Sequence, residues 1–171
     1  MMSVNPALSF LHPLQQLEKL LLRIAAERPA LWAAQLAPDM LPLWQQGRTA
    51  AGFSLRACYP LAQLDIPPIA LVSDDWGGLI QFVQQCRQQL QALAPAGFAG
   101  WQQRPIEFEA GFARQQLTGQ DYLQLYALPN FYFHFSMLYA IARQHGLAIG
   151  KADFDGWHQY PAGFSWVGPA N

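Results

Sequence analysis

Apolar residues recur at spacings of three and four along most of the chain, and four stretches carry that period. Leu14, Leu17, Leu21 and Ile24 predict a first helix from Pro13 to Glu27, with Pro13 in the opening turn, where a missing N–H costs nothing, and Pro29 as the stop. A second is expected to begin at Asp39, a helix cap after Pro38, and to close at Pro60 and Pro67-Pro68. Met40, Leu43, Trp44, Gly47, Ala51, Ser54, Leu55 and Cys58 share one of its faces. The third follows Asp74 as cap, sets Leu79, Phe82, Val83, Cys86, Leu90 and Leu93 on one stripe, and ends at Pro95 and Gly97. A fourth opens at Thr118, where Thr-Gly-Gln-Asp spaces a hydroxyl and the Asp121 carboxylate as a capping box, and stops at Gly146. Being apolar on nearly every side, this last helix is expected to be the central one, with Leu125, Phe133 and Ile141 in its buried surface.

Between the third and fourth helices, Ile106 to Glu109 and Arg114 to Leu117 flank Ala110-Gly111 in the manner of a small two-stranded hairpin. After Gly150 the pattern becomes irregular yet stays aromatic, with Phe154, Trp157, Tyr160, Phe164 and Trp166, which predicts a segment packed on the bundle or on a partner chain. Pro129 falls inside the fourth helix, where a proline removes one hydrogen bond and clashes with the preceding turn at about 3 kcal/mol. A kink is expected there, freeing the carbonyl of Leu125. Two readings of it stand: a bend that fits the helix to its neighbours, and a bend that shapes a pocket.

Composition adds constraints. The chain has 171 residues, enough for one domain that needs neither disulfide nor metal to fold. Hydrophobic residues make up 52% and charged residues 12%, so neutral side chains must supply polar surface, and pairs such as Gln15-Gln16, Gln45-Gln46 and Gln84-Gln85 are expected to do so as solvated positions. A net charge of −1 offers no basic field for nucleic acid. So apolar a chain predicts a homodimer that covers part of its surface. Met-Met-Ser-Val-Asn-Pro lacks the basic start and apolar stretch of a secretory leader, and Leu128 to Ala142 is too short to span a bilayer. The cytoplasm, without membrane contact, is therefore the expected location. Cys58 and Cys86 are expected as reduced, packed thiols.

The stretch Asp121-Tyr-Leu-Gln-Leu-Tyr-Ala-Leu-Pro-Asn-Phe-Tyr-Phe-His134, followed by Gly150-Lys151-Ala152-Asp153-Phe154-Asp155-Gly156, resembles an uncharacterised bacterial family, a domain of unknown function grouped with the DinB/YfiT-like helical bundles. Leu36-Ala-Pro-Asp-Met-Leu-Pro-Leu43 is similar to that family's second-helix opening. The resemblance implies an all-α, often dimeric four-helix bundle, in a superfamily where many members hold a divalent metal with three histidines, one set on the second helix and an HxxxH pair on the last. Here the last helix offers His134, four positions on stands Leu138, and the second helix has no histidine. Gly52, Phe53 and Leu55 also stand where the closer family is commonly polar.

Taken as chemistry, the four histidines are scattered, and His134 and His145 lie about 16 Å apart along a straight helix. No metal or other cofactor is therefore expected. Asp74-Asp75 reads as capping and Asp153 with Asp155 as turn residues. Gly77-Gly78 lacks the rest of a phosphate loop. One constellation remains: Tyr126, Asn130 and His134, four apart, share a helix face and are the candidate ligand-binding residues. They could equally satisfy a neighbouring helix or the bond broken at Pro129. The expected function is thus a helical-bundle protein of unassigned activity with a small-molecule or partner site near the kink. The competing reading is a DinB-like metal-dependent thiol transferase or hydrolase with a degenerate site.

Overall fold

Phe10, Leu14, Leu17, Leu21 and Ile24 form one unbroken buried stripe, and the helix that carries it, α1, runs from Leu8 to Glu27. The computed structural model describes residues 5–161, 164–165 and 167–168; Trp166 and the first four residues lie outside them. Pro13 is therefore inside α1 and not in its first turn. The stripe beginning at Phe10 holds the helix together across the missing donor, because burial of that face outweighs one absent hydrogen bond.

Helix α2 spans Leu43–Leu61 and starts four residues later than Asp39 suggests. Leu41 precedes a proline and is sterically kept from helical geometry, so winding begins only after Pro42, and the Leu43 N–H bonds the Ala34 carbonyl instead. Pro60 sits in its last turns and leaves the Arg56 carbonyl without its usual donor; the Tyr122 hydroxyl donates to that oxygen at 2.9 Å. Helix α3, Trp76–Gln91, is capped by Asp75 and not Asp74: the Asp75 carboxylate accepts from the Gly78 N–H at 2.7 Å and from the Ser73 hydroxyl at 2.8 Å. Those bonds hold its pKa below the usual carboxylate value. The stripe from Leu79 to Leu90 is buried as its spacing predicts.

Strands β1 (Pro105–Ala110) and β2 (Ala113–Thr118) pair antiparallel, with Ile106 opposite Leu117 and Ala110 opposite Ala113. Thr118 then caps α4 (Gly119–Asp121), its hydroxyl accepting from the Asp121 N–H and donating to the Asp121 carboxylate. A side chain at Gly119 would meet the Trp101 carbonyl at 2.0 Å, so glycine lets the start of the last rod lie against that backbone. The rod continues as a π-helical stretch, Tyr122–Ala127, and as α5, Leu128–Gln144.

The result is a mostly helical four-helix bundle with one small hairpin, in which α2 packs on α5 and α3, and α3 on α1. Two further expectations are corrected. The last rod is not enclosed: Ile141 is fully buried, but Leu125 is 69% and Phe133 52% exposed. The residues after Gly150 are not all irregular, since Lys151–Asp155 form a short helix, α6. The Asp153 carboxylate accepts from the Gly150 N–H and pairs with Arg23, while Phe154 stacks on Phe135 at 4.3 Å. Gly156, in left-handed geometry (φ 72°), lies so close to Gln16 that a Cβ would collide with it. No helix among the described residues is long and apolar enough to cross a membrane.

Candidate functional site

Proline 129 shapes this region. The proline cannot donate to the Leu125 carbonyl and its ring would crowd that turn, so the rod widens into the π stretch and resumes α geometry with Pro129 at its very start. The Asn130 amide donates to the Tyr126 carbonyl at 2.8 Å, within the turn that the proline disturbs. Asn130 thus closes a local backbone bond.

His134 lies two turns beyond Tyr126 and points at α2. Its Nδ1 is 2.8 Å from Oε1 of Gln46, and the Gln46 Nε2 donates to the Leu41 carbonyl at 3.0 Å. With the amide nitrogen so engaged, Gln46 offers His134 an acceptor, so Nδ1 carries the proton and Nε2 keeps its lone pair. Among the described residues no hydrogen bond reaches that Nε2. Burial first, and the charge of Arg56 second, hold the imidazole pKa below its ordinary 6.5, which keeps the ring neutral at pH 7. Gln46 is 1% exposed, and Gln16 5%, so these two glutamines are core residues and not the solvated ones their pairing suggests.

The Phe53 ring joins the parts. It stacks with His134 at 5.8 Å, meets Tyr126 edge-on at 5.9 Å, and has the Arg56 guanidinium over its ring at 4.5 Å. Arg56 is exposed and joins no ion pair among the described residues. Tyr126 packs on Phe108 of β1 at 4.3 Å and donates to the Glu109 carbonyl at 3.3 Å, so the hairpin walls this end. The structure therefore gathers Tyr126 and His134 about one phenyl ring, without direct contact between them. Gln46 and Arg56 escape the sequence reading because they lie on a different helix, and Phe53 enters it only as an apolar residue at a position that the closer family commonly makes polar. Their signal was the seven-residue spacing that puts Gln46 and Phe53 on one face of α2.

The donor set does not fit the three-histidine ion that the family resemblance implies. Among the described residues no three His, Cys, Asp or Glu side chains gather closely enough to hold a metal. His12 bonds the Asp155 carbonyl at 2.7 Å, His145 the Ile141 carbonyl at 2.9 Å, and His158 pairs with Asp155. Leu138 is buried, at the spot that a Cβ on Gly47 would contact. Cys58 and Cys86 are free and buried, and burial pushes both thiols up, Cys86 to about 12.

The family described as domain of unknown function (DUF1993) matches residues 3–155. A solved structure, a DinB family member protein from Shewanella denitrificans, aligns with a TM-score of 0.79 at 24% identity, over 91% of this chain and 92% of that one; the likeness is one of fold. No curated protein matches. The chain belongs to the DUF1993 family, and its bundle is DinB-like.

Proposed function

We propose that this DUF1993 member is a single-domain, homodimeric binding protein of the bacterial cytoplasm, which holds a small polar molecule where Tyr126, Asn130 and His134 face α2. One observation carries the reading: a neutral imidazole whose Nε2 and a guanidinium whose charge have no partner among the described residues both pack against the Phe53 ring. A ligand suited to both presents an N–H or O–H donor to His134 and a carboxylate to Arg56. Asn130 serves by setting the turn that aims the imidazole. Binding is favoured over catalysis because Nδ1 faces an amide, which cannot stabilise an imidazolium as a carboxylate does, and the buried thiols are poor nucleophiles.

The dimer is supported by the exposed face of the last rod, where Leu125 and Phe133 lie two turns apart with Pro129 between them. Phe133 meets His134 edge-on at 5.1 Å, so a partner seated there would border the ligand.

Thermal-shift titration with hydroxy acids and N-acyl amino acids tests the site: the melting temperature should rise for the wild type and not for His134→Leu. No shift with any of them, or an equal shift in the variant, refutes the reading. So would zinc or nickel at one ion per purified chain that disappears in His134→Ala. Light scattering tests the dimer, with Phe133→Glu expected to give the monomer mass.

A further inference from the structure

We infer that the cavity between the end of α5 and the C-terminal segment binds a small aromatic carboxylate. This site is separate from the one around His134 and does not depend on it. The cavity encloses about 470 Å³, within the size range of small-ligand sites. Its walls include Tyr139 and Arg143 from α5, Lys151 from α6, and Tyr160, Phe164 and Ser165 from the segment that follows.

Charge is the first argument. Two cations line this cavity, and among the described residues no carboxylate does. Two other hollows differ: the one beside the hairpin sets Glu107 and Glu109 against Arg114, and the one beside Arg23 contains Asp153. Arg23, Arg87 and Arg114 are matched by Glu27 and Asp153, by Glu18 and by Glu109, whereas Arg143 and Lys151 join no ion pair among the described residues. The Arg143 guanidinium makes one long bond, 3.4 Å, to the Leu147 carbonyl, leaving most of its five N–H donors for another acceptor. An anion between the two would be held by charge-assisted hydrogen bonds.

Shape is the second. Tyr160 and Phe164 stack with their rings 5.1 Å apart and 4° from parallel, and both border the cavity as an aromatic wall. Tyr139 stands on the bundle side, its hydroxyl 3.5 Å from the Ile149 carbonyl. A planar ring within the cavity packs among these aromatic side chains, while its carboxylate reaches the cations. The Gly150–Gly156 stretch gains a purpose for its lysine as well: Asp153, Phe154 and Gly156 dock α6 on α1 and α5, and Lys151 takes no part in that docking.

Calorimetric titration of the full chain at low salt with benzoate, which lacks the donor that the His134 site requires, and with uncharged benzamide, tests the assignment. Saturable binding of the carboxylate is expected, with the amide at least tenfold weaker, and with Arg143→Gln and Lys151→Gln each weakening the carboxylate about tenfold. Both replaced side chains are exposed, and unchanged melting curves would show that the variants fold. Arg56→Gln should leave this affinity unaltered, which separates the cavity from the His134 site. Absence of saturable binding up to about 10 mM, equal binding of the amide, or undiminished affinity in the double variant would overturn it.

Discussion

Helix α2 carries Gln46, Ser54, two glycines and two arginines, whereas α5 carries Phe131, Tyr132, Phe133, Phe135, Leu138 and Tyr139. Yet α2 buries residues around most of its circumference, polar Gln46 and Ser54 included, while α5 leaves Tyr132 and Phe133 exposed. Position decides this: α2 lies between α3 and α5 and is covered from two sides, and α5 packs on α2, on α1 through Phe131 and on α6 through Phe135, while the side that carries Phe133 stays open. Richness in apolar residues measures how much surface a helix could hide, and the bundle determines how much it does hide. The surplus on α5 is then available to another molecule.

That contrast can be broken by substitution. Phe135→Ala, on the covered side of α5, should cost about 3–5 kcal/mol in urea unfolding, since its ring is fully buried and stacks on Phe154. A smaller loss, about 1–3 kcal/mol, is expected for Gln46→Leu, which strands the His134 Nδ1–H and the Leu41 carbonyl; a neutral result would show that α2 needs no polar partner there.

The next effect is one of slope. His134 titrates below 6.5 in the fold and near 6.5 when unfolded, so the unfolded chain binds more protons between those values. Its stabilisation is complete above pH 6.5 and is lost as pH falls through the folded pKa. Urea midpoints between about pH 7.5 and about pH 5 should therefore fall more steeply in wild type than in His134→Gln; parallel lines would mean that the ring is not held neutral. Smallest of all, Phe133→Ala should change the stability of dilute monomer by within about 0.5 kcal/mol, and a larger loss would place that ring against the core.

Legibility followed the number of covered faces. Helix α3 buries one face, so its stripe was readable residue by residue, from Leu79 to Leu90. The hairpin was readable because its strands flank a glycine turn. Helix α2 was placed four residues early because Asp39 is a good cap by type, although Pro42 forbids helical geometry just before it. Pro13 misled in the other direction: its neighbour Phe10 already belonged to the stripe with Leu14 and Leu17. Of the site, the face of α5 shared by Asn130 and His134 was visible in their spacing, whereas Tyr126 lies ahead of it in the π-helical stretch, which no spacing announced. Their partners were not, because no local pattern connects Gln46 with His134 across 88 positions, or Phe53 with Tyr126.

The wide turn ahead of Pro129 has one more consequence. A π turn takes in one residue beyond a regular turn, so all that follows Ala127 is rotated by about 100° from where unbroken winding would carry it. The imidazole's aim toward Gln46 is thus a matter of phase: even winding of 122–127 at its present length would swing His134 round to another side of the rod, whereas a chain shortened by one residue there could wind evenly with His134 still facing Gln46.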